Sequence, residues 1–367
     1  MYTMGLDVHA RSIRGSILNA EGKRIKEFES GGLSDWSRLR REVTRLDGPV
    51  QVCFEASCGY GQLHDGLLAL PNVRRVVVAH PGQLRLIFRS KQKNDRVDAQ
   101  RLAMLLLLGQ APAVHVPPVD VRAWRAMIEY RNQLVCQQTR AKNQMRALLR
   151  TYGVLGPHRK SLWTKKGLAW LAELPWPSTL VTLQRDSLLY ELAHCRQQIA
   201  AAEKALNEVA ATNPGVALLR SIPGVGPRTA EAIMAYINDP QRFNRGKQVS
   251  SYFGLVPCQD QSGGINRLGH ITRNGPSTVR RLLTEAAWQG VQRSPEIRAR
   301  FERIQRGDPR RKKIALVATA SWLARVMLTM LRTGEVARFT RQTVAEANRQ
   351  AAAARAEPRA TNPPHAA

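Results

Sequence analysis

The chain has 367 residues, 43% of them hydrophobic, which is enough for two or three domains with ordinary soluble cores. Its 56 Lys and Arg against 28 Asp and Glu give a net charge of +28, which favours nucleic acid as a partner over an anionic membrane surface. Histone-like packing proteins share such a charge but are usually much shorter.

The cysteines and the longest apolar run argue against two other classes of protein. Five cysteines at irregular spacings, without a C-x-x-C pair, do not fit a zinc knuckle or a disulfide framework and are typical of a reducing cytoplasm. The apolar run 314–331 contains Arg325 near its middle. Because a charge at mid-span is costly in lipid, this run predicts a buried helix rather than a membrane span.

The first 110 residues predict a mixed sheet flanked by helices. Apolar runs and alternating patterns predict strands at 2–8, 12–18, 24–29, 50–57 and 73–79. Helices are expected near 34–46, 60–70 and 95–108. Three strands followed by strand–helix alternation indicate an α/β domain.

Four carboxylates occupy informative places in this domain. Asp7 and Glu55 end predicted strands, and Asp95 and Asp98 begin a helix at a spacing that puts both on one face. Such acids can converge on one cleft, where their oxygens suit Mg²⁺ or Mn²⁺. Each acid alone is more often structural, as a helix cap or the partner of an arginine. The basic residues around the set, candidates for nucleic-acid contact, are Arg89, Lys91, Lys93 and Arg96.

A linker at 112–118 leads to two long predicted helices. The first, 119–150, is basic and is a candidate for nucleic-acid contact or simply a solvated face. The second, 178–210, has an apolar heptad seam. This seam predicts either an intramolecular helical hairpin or an oligomer contact. Its residues are Leu188, Leu192, Cys195, Ile199, Ala202, Leu206 and Val209.

The last 150 residues contain two motifs suited to nucleic acid. The segment 221–233, SIPGVGPRTAEAI, resembles a helix–hairpin–helix, in which Gly224, Gly226 and Arg228 would grip a phosphate; the alternative is a loop between core helices. Further on, Ser262 precedes two glycines, so it is either a turn residue or a nucleophile in a basic pocket. The residues that would clamp a phosphate beside it are Arg267, Arg273, Arg280 and Arg281, with His270 as a candidate base.

Taken together, these motifs resemble the DEDD-type transposases of the insertion sequence 110 family, with a likeness to its 1111 subgroup. The resemblance rests on seven segments in the same order: GLDVH (5–9), FEAS (54–57), KNDRVDA (93–99), SIPGVGPRTA (221–230), YFGLVP (252–257), QSGG (261–264) and HITRNGPSTVRRLLTEAAW (270–288). Asn94 stands where relatives often have Thr.

The resemblance implies a domain plan and a mechanism. It implies a RuvC-like, RNase H-type domain at 1–112 holding Mg²⁺ or Mn²⁺ through Asp7, Glu55, Asp95 and Asp98. It also implies a helical coiled-coil region at 113–215, used in oligomerisation to a dimer or tetramer, and a mainly helical domain at 216–340. Ser262 of this last domain would attack a DNA phosphate, in a site composed with the acids of another subunit, and remain joined to the DNA. A structured guide RNA would select the element ends and the target. Residues 341–367 are expected to be disordered.

Two other functions stay open from the residues alone. A metal-dependent nuclease or junction resolvase would use the four acids without Ser262. A non-catalytic nucleic-acid-binding protein would tolerate neutralisation of Asp7 and Asp98.

Overall fold

The computed structural model describes residues 1–87, 95–156, 161–262 and 264–340, and the chain divides into two compact units, Met1–Val119 and the remainder from Asp120. The first unit is built on one mixed sheet of five strands, as its sequence predicts. Its strands are β1 (Tyr2–Val8), β2 (Ser12–Leu18), β3 (Arg24–Gly31), β4 (Val50–Glu55) and β5 (Val73–Ala79). Its helices are α1 (Ser37–Thr44), α2 (Tyr60–Leu68), α3 (Pro81–Ile87) and α4 (Asp95–Leu107).

The strand order is β3-β2-β1-β4-β5. Strands β1, β2 and β3 form an antiparallel meander, because short turns connect them. Strands β4 and β5 lie parallel to β1, because helices cross over between them. The central strand β1 is therefore flanked by β2 and β4, and its carboxyl end meets that of β4 at one edge.

Each face of the sheet is covered by a different set of helices. On one face, Leu6 and Phe54 pack with apolar residues of α1 and α2. On the other face, Cys53 and Val77 pack with leucines of α4. Both faces are thus buried, which accounts for the nearly continuous apolar sequences of β4 and β5.

The second unit is mostly helical. Its helices are α5 (Val119–Thr151), α6 (Lys165–Glu173), α7 (Thr179–Ala211), α8 (Pro214–Leu219), α9 (Pro227–Ile237), α10 (Gly246–Tyr252), α11 (Ser277–Arg293), α12 (Pro295–Gln305) and α13 (Lys312–Thr333), with short 3₁₀ helices at Ser161–Trp163, Pro240–Arg242 and Pro309–Arg311. Two strands, β6 (Pro257–Ser262) and β7 (Ile265–Ile271), form an antiparallel hairpin. The hairpin was not expected from the sequence.

Most of the heptad seam of α7 is buried inside the chain, although Ile199 is only half-buried and Val209 is 44% exposed. Leu188 and Leu192 pack with Met145 and Leu148 of α5, while Leu206 packs with residues near the start of α5. The two long helices are therefore antiparallel, and Arg131 of α5 reaches Glu203 of α7 with a 3.0 Å hydrogen bond. The intramolecular hairpin is the arrangement that this structure contains.

One helical stretch, Pro309–Thr333, is long and apolar enough to cross a membrane, with a mean hydropathy of 1.8. Within it, Ala315, Leu323 and Met327 have no exposed surface and belong to the main core of the second unit. The Thr319 hydroxyl donates to the carbonyl of Ala315 over 2.8 Å, whereas the buried Nε atoms of Arg311 and Arg325 have no hydrogen-bond partner among the described residues. This stretch therefore packs as a core helix, as its sequence predicts.

Candidate functional site

Two of the four predicted acids lie at one edge of the first unit's sheet. Leu6 of β1 is in register with Phe54 of β4, and the next residue of each strand is Asp7 and Glu55 respectively. Side chains alternate along a strand, so Asp7 shares a face with Gly5, while Glu55 shares one with Cys53. Both of those residues face α4. The two carboxylates therefore point to the side of the sheet that α4 covers.

Helix α4 crosses β1 at unusually short range and brings its first turn to the same edge. A Cβ atom on Gly5 would lie 2.0 Å from the carbonyl oxygen of Ala99, so only glycine permits this approach. Farther along, Leu107 approaches Gly22, which lies in the turn after β2 at the opposite edge of the sheet. The helix consequently runs antiparallel to β1. Asp98 lies next to Ala99, on the side towards the carboxyl end of β1.

The described acids are accessible and have basic neighbours. The Asp7 side chain is 20% exposed, and its Oδ2 lies 3.2 Å from Nε2 of His9. The Asp98 side chain is 30% exposed, and its Oδ1 lies 3.4 Å from Nη1 of Arg101. Glu55 is exposed. Solvent and a polyanionic ligand can therefore reach this edge.

The donor set fits a hard divalent cation, because carboxylate oxygens are the ligands that Mg²⁺ and Mn²⁺ prefer. Within the described part of the chain, no group of three or more His, Cys, Asp and Glu side chains is close enough to hold a metal ion. The side chain of Asp95 lies outside the described residues, as do Arg89, Lys91, Lys93 and the side chain of Arg96. The described acids thus share an edge and a chemistry, without forming a closed cage.

Ser262 is the last residue of β6, at the end of the exposed hairpin. Every residue of β6 is exposed, and β7 is exposed up to its last residue. Ser262 is in register with Ile265, and Asp260 with Arg267. Because residues in register share a face, the hairpin has two distinct faces. The serine face carries Asp260, Ser262, Ile265 and Arg267, and the opposite face carries Gln259, Gln261, Asn266 and Leu268.

The amides of the opposite face bond to one another. Nε2 of Gln259 donates to Oδ1 of Asn266 over 3.1 Å and to Oε1 of Gln261 over 3.2 Å. A two-stranded hairpin without a core is marginally stable in water, so such cross-strand bonds matter to its persistence. His270, the candidate base, is exposed on β7. The hairpin thus presents Ser262 to solvent beside one acidic and one basic side chain.

The turn between β7 and α11 anchors the hairpin. Arg273 adopts a left-handed backbone with φ 57°, and its N–H donates to the carbonyl of Gly254. Arg280 donates from Nη1 to the carbonyls of Asn274 and Gly275 over 2.5 and 3.0 Å. Burial lowers the pKa of the Arg280 guanidinium, with a further contribution from the nearby charge of Arg273. The guanidinium of Arg280 is therefore engaged in holding the turn.

Arg267 and Arg281 differ from Arg280 in their surroundings. Arg267 is exposed on β7. The Arg281 side chain is 43% exposed, bonds to Asn132, and lies 2.9 Å from Glu285 within α11. Of the four predicted phosphate clamps, Arg267 shares the face of Ser262.

The SIPGVG turn connects α8 to α9, as a helix–hairpin–helix requires, but its two glycines have different surroundings. Gly224 has φ 92°, and a Cβ there would lie 2.5 Å from the backbone nitrogen of Gly290 in α11. Gly226 is the N-cap residue of α9, and a Cβ there would meet open space. Arg228 bonds to Asn207 and lies 2.7 Å from the buried carboxylate of Glu231. Gly224 therefore packs against the protein, while Gly226 faces solvent.

Two side chains beside the predicted groups were not assigned a role from the sequence. His9 contacts Asp7, and Asp260 shares the face of Ser262. The sequence signal for His9 is its position two residues after Asp7. Because the strand ends between them, the chain can turn and bring the His9 side chain to Asp7. Asp260 stands two residues before the serine, but this spacing becomes informative only once residues 257–262 are known to be a strand.

Comparisons with known proteins agree with these motifs. A family model of DEDD-type IS110 transposases, described as "Transposase", matches residues 4–154, and a second, described as "Transposase IS116/IS110/IS902 family", matches residues 216–302. The first match contains all four acids, and the second contains Gly224, Gly226 and Ser262.

Three curated relatives show how far the similarity extends. The transposase for insertion sequence element IS1111A of Coxiella burnetii is 31% identical over 53% of this chain and 54% of its own length. The transposase for insertion sequence element IS1328 of Yersinia enterocolitica is 29% identical over 68% of this chain and 75% of its own. The "Insertion element IS110 uncharacterized 43.6 kDa protein" of Streptomyces coelicolor is 26% identical over 90% of this chain and 94% of its own. With both characteristic regions matched in order, the chain belongs to the IS110 family of transposases.

Proposed function

We propose that this transposase excises and inserts an insertion sequence through a covalent serine–DNA intermediate, with Ser262 as the nucleophile. The observation that carries the proposal is the position of Ser262. It lies at the end of a hairpin whose strands are exposed on both faces, so a DNA phosphate can approach its hydroxyl from solvent. If Ser262 were only a turn residue, there would be no reason for two exposed strands to extend from the helical unit and carry it.

The proposed chemical step is a transesterification. The Oγ atom of Ser262 forms a bond to a DNA phosphorus as the bond from that phosphorus to one sugar oxygen breaks. The serine proton passes to solvent, and the released sugar oxygen takes up a proton in return. The phosphodiester to serine keeps the energy of the broken bond, so the DNA end can rejoin a new strand by the reverse step. A water nucleophile would cut the strand without this possibility.

The acids of the first unit have a separate role in the proposal. Asp7, Glu55, Asp95 and Asp98 would hold Mg²⁺ or Mn²⁺ at the carboxyl edge of an RNase H-type, RuvC-like sheet. When bound, the metal supplies positive charge that polarises phosphoryl oxygens. The support is the shared face of Asp7 and Glu55 and the approach of α4 to β1 at Gly5. His9 and Arg101, which contact two of the acids, orient their carboxylates.

We also propose that a structured RNA guides the choice of DNA sites and that the protein acts as a dimer or tetramer. Family membership implies DNA binding. A net charge of +28 exceeds what a short DNA contact needs and suits a second polyanion. In this division of labour, base pairing reads sequence while the protein holds backbones. The proposed backbone contacts are the basic helix α5, the solvent-exposed Gly226 and the exposed Arg267.

A covalent-trapping assay tests the serine mechanism. Purified protein is mixed with Mg²⁺, labelled DNA carrying the joined element ends, target DNA and RNA from the element's flanks, then denatured and examined for protein-linked DNA. Wild type is compared with Ser262→Ala and Asp98→Ala. Ser251→Ala, which removes an exposed hydroxyl from α10, is the matched control. We expect an adduct with wild type and the control, and none with the other two variants.

The same assay separates the alternatives. Metal-dependent cleavage that survives Ser262→Ala, with no adduct from wild type, would indicate a nuclease or junction resolvase that uses the acids alone. Binding without cleavage or adduct, unaffected by Asp98→Ala, would indicate a non-catalytic nucleic-acid-binding protein.

A further inference from the structure

We propose that Lys142, Arg146 and Arg196, gathered around Trp163, form a binding site for a phosphodiester group of a nucleic-acid backbone. We call these four residues the phosphate site. It lies on the helical hairpin of α5 and α7, away from Ser262 in sequence, and none of its residues belongs to the chemistry proposed above. The inference rests on the proposed function only in requiring that the protein binds nucleic acid.

Three cations from two helices converge on Trp163, two on its ring and one on its backbone carbonyl. Nζ of Lys142 lies 5.8 Å from the centroid of the Trp163 ring, and the guanidinium carbon of Arg146 lies 5.2 Å from it. Arg196, from the antiparallel helix α7, donates from Nη2 to the backbone carbonyl of Trp163 over 2.8 Å. All four residues are half-buried.

In the part of the chain that the structure describes, these like charges are held together without an acid paired to them. Within the described residues, the hydrogen-bond acceptors of Lys142 and Arg146 are neutral amides, Gln138 and Asn143. Burial lowers the pKa of Lys142, and the charges of Arg196 and Arg146 lower it further. Elsewhere on the same hairpin, Arg131 is paired with an acid. An unpaired group of cations costs stability by repulsion, which a bound anion would remove.

Some N–H donors of the phosphate site also lack a hydrogen-bond acceptor among the described residues. Nε of Arg146 and Nε1 of Trp163 are buried nitrogens that have no hydrogen-bond partner among the described residues. Buried donors normally find an acceptor, and each one left unpaired lowers stability. Lys142 and Arg146 reach the Trp163 ring from α5, and Arg196 reaches the Trp163 carbonyl from α7. Tetrahedral phosphate oxygens are the acceptors that such a group of donors suits.

A purely structural role explains less of this arrangement. One arginine stacked on tryptophan stabilises a fold modestly, and Arg40 on Trp36 is such a pair in this protein, at 4.9 Å. At Trp163 a second cation, Lys142, lies on the same indole and a third, Arg196, lies at its carbonyl, which gains little further stacking and adds repulsion. The excess of charge is useful only if an anion binds there.

The test compares two double variants that remove the same charge. Arg146→Gln with Arg196→Gln removes two cations of the phosphate site, while Arg40→Gln with Arg41→Gln removes two exposed arginines of α1, one of them stacked on Trp36. Affinity for a duplex DNA and for an RNA hairpin is measured by fluorescence anisotropy over a range of KCl concentrations. We expect the phosphate-site variant to bind at least one of the two about 10-fold more weakly than the control variant, with a salt slope smaller by about 1.

The arms of this experiment identify the source of the phosphate. Loss confined to the RNA hairpin assigns the site to RNA, loss confined to the duplex assigns it to DNA, and loss with both assigns it to either backbone. Equal losses in the two double variants would overturn the inference while leaving the proposed function intact. Failure of wild type to bind either probe would instead contradict the proposed function and with it the site.

A second readout does not depend on nucleic acid. Thermal unfolding is followed with and without inorganic phosphate, at constant ionic strength. We expect phosphate to raise the Tm of wild type more than that of the Arg146→Gln, Arg196→Gln variant, because an anion that binds the native state stabilises it. In the absence of phosphate this variant should be no less stable than wild type, because it loses repulsion. An equal phosphate effect on both proteins would contradict a built site.

Discussion

Glu231 shows how a charged residue of this basic protein is used in its interior. Its side chain has no exposed surface, and it lies in a small cavity between α5, α7, α9 and α11. Nη2 of Arg228 approaches to 2.7 Å, but neither carboxylate oxygen has an aligned hydrogen bond among the described residues. Burial outweighs the neighbouring arginines and raises the pKa of Glu231 to about 7. The protein therefore stabilises the charged form of this carboxyl group poorly.

This shift predicts how stability depends on pH. Between the ordinary pKa of 4.5 and about 7, folded Glu231 keeps its proton while the unfolded chain releases it. The contribution of Glu231 to the free energy of unfolding is therefore most favourable below pH 4.5. It falls as the pH rises to about 7 and does not change above that pH. Glu231→Gln should remove the dependence and raise the free energy of unfolding at pH 8 by about 2 kcal/mol, with little change at pH 4.5. Urea unfolding of wild type and Glu231→Gln at pH 8 and at pH 4.5 measures this difference in stability.

Glu203→Gln is the control for this prediction, because Glu203 faces the same arginines but its side chain is 37% exposed. We expect it to lose stability slightly at pH 8, through the lost pair with Arg131. A Glu231→Gln variant that is less stable than wild type at pH 8 would mean that the ion pair with Arg228 outweighs burial.

The acids of the candidate site were easier to predict than Glu231. Asp7 and Glu55 each come at the end of a mostly apolar strand, so their position at a sheet edge can be read from the sequence. Which face they point to depends on Gly5 and Cys53, two residues earlier, and becomes clear only when α4 is seen to cover that face. Glu231 lies on a short helix where a surface position would be expected, and its burial depends on α5, α7 and α11 together. The phosphate site requires the pairing of α5 with α7 in the same way.

At the scale of elements, the two glycines of the turn between α8 and α9 allow the role of the turn in packing to be tested separately from its role in nucleic-acid binding. Gly224→Ala would force a side chain into a left-handed backbone and against Gly290, so we expect a loss of at least about 2 kcal/mol of stability. Gly226→Ala meets open space and an ordinary φ of −86°, so it should fold normally. Chemical denaturation of both variants measures the difference.

Nucleic-acid binding by the Gly226→Ala variant then tests the helix–hairpin–helix interpretation. A methyl group on the exposed N-cap should hinder a phosphate at the start of α9 and weaken duplex binding by a few-fold, with stability unchanged. Unchanged affinity together with unchanged stability would leave the turn as a connection between core helices.

In the hairpin of β6 and β7, one arginine stabilises the fold and another is available to contact DNA. Arg280→Ala removes the guanidinium that holds three backbone carbonyls, and should lower the free energy of unfolding by about 1–3 kcal/mol. Arg267→Ala alters an exposed side chain on the serine face, and should leave stability unchanged while reducing the yield of protein-linked DNA. Thermal unfolding and the trapping assay, run on both variants, distinguish the two roles. Equal effects of the two variants in both assays would contradict this division.

The hairpin itself could not be predicted, whereas the sheet of the first unit could. The strands of the sheet bury one or both faces, so apolar residues mark them. Residues 257–271 bury neither face, and polar side chains such as Gln259 and Gln261 carry no period that distinguishes a strand from a loop. The glycines after Ser262 indicated a turn but not the strands on either side. Exposed elements escape this kind of prediction because packing places no constraint on their sequences.

At the scale of the whole molecule, the net charge of +28 should govern nucleic-acid affinity. Each phosphate neutralised releases a counterion, so the logarithm of the binding constant should fall linearly with the logarithm of salt concentration, with a slope of about −0.9 per contact. For six to ten contacts, affinity for a duplex of arbitrary sequence should fall by about 10³- to 10⁵-fold between 50 and 200 mM KCl. Anisotropy titrations at constant Mg²⁺ measure the slope. An affinity that does not change over this range would mean that the positive charge is spread over surfaces that nucleic acid does not touch, and the partner would then have to be recognised through Gln259, Gln261 and other uncharged groups.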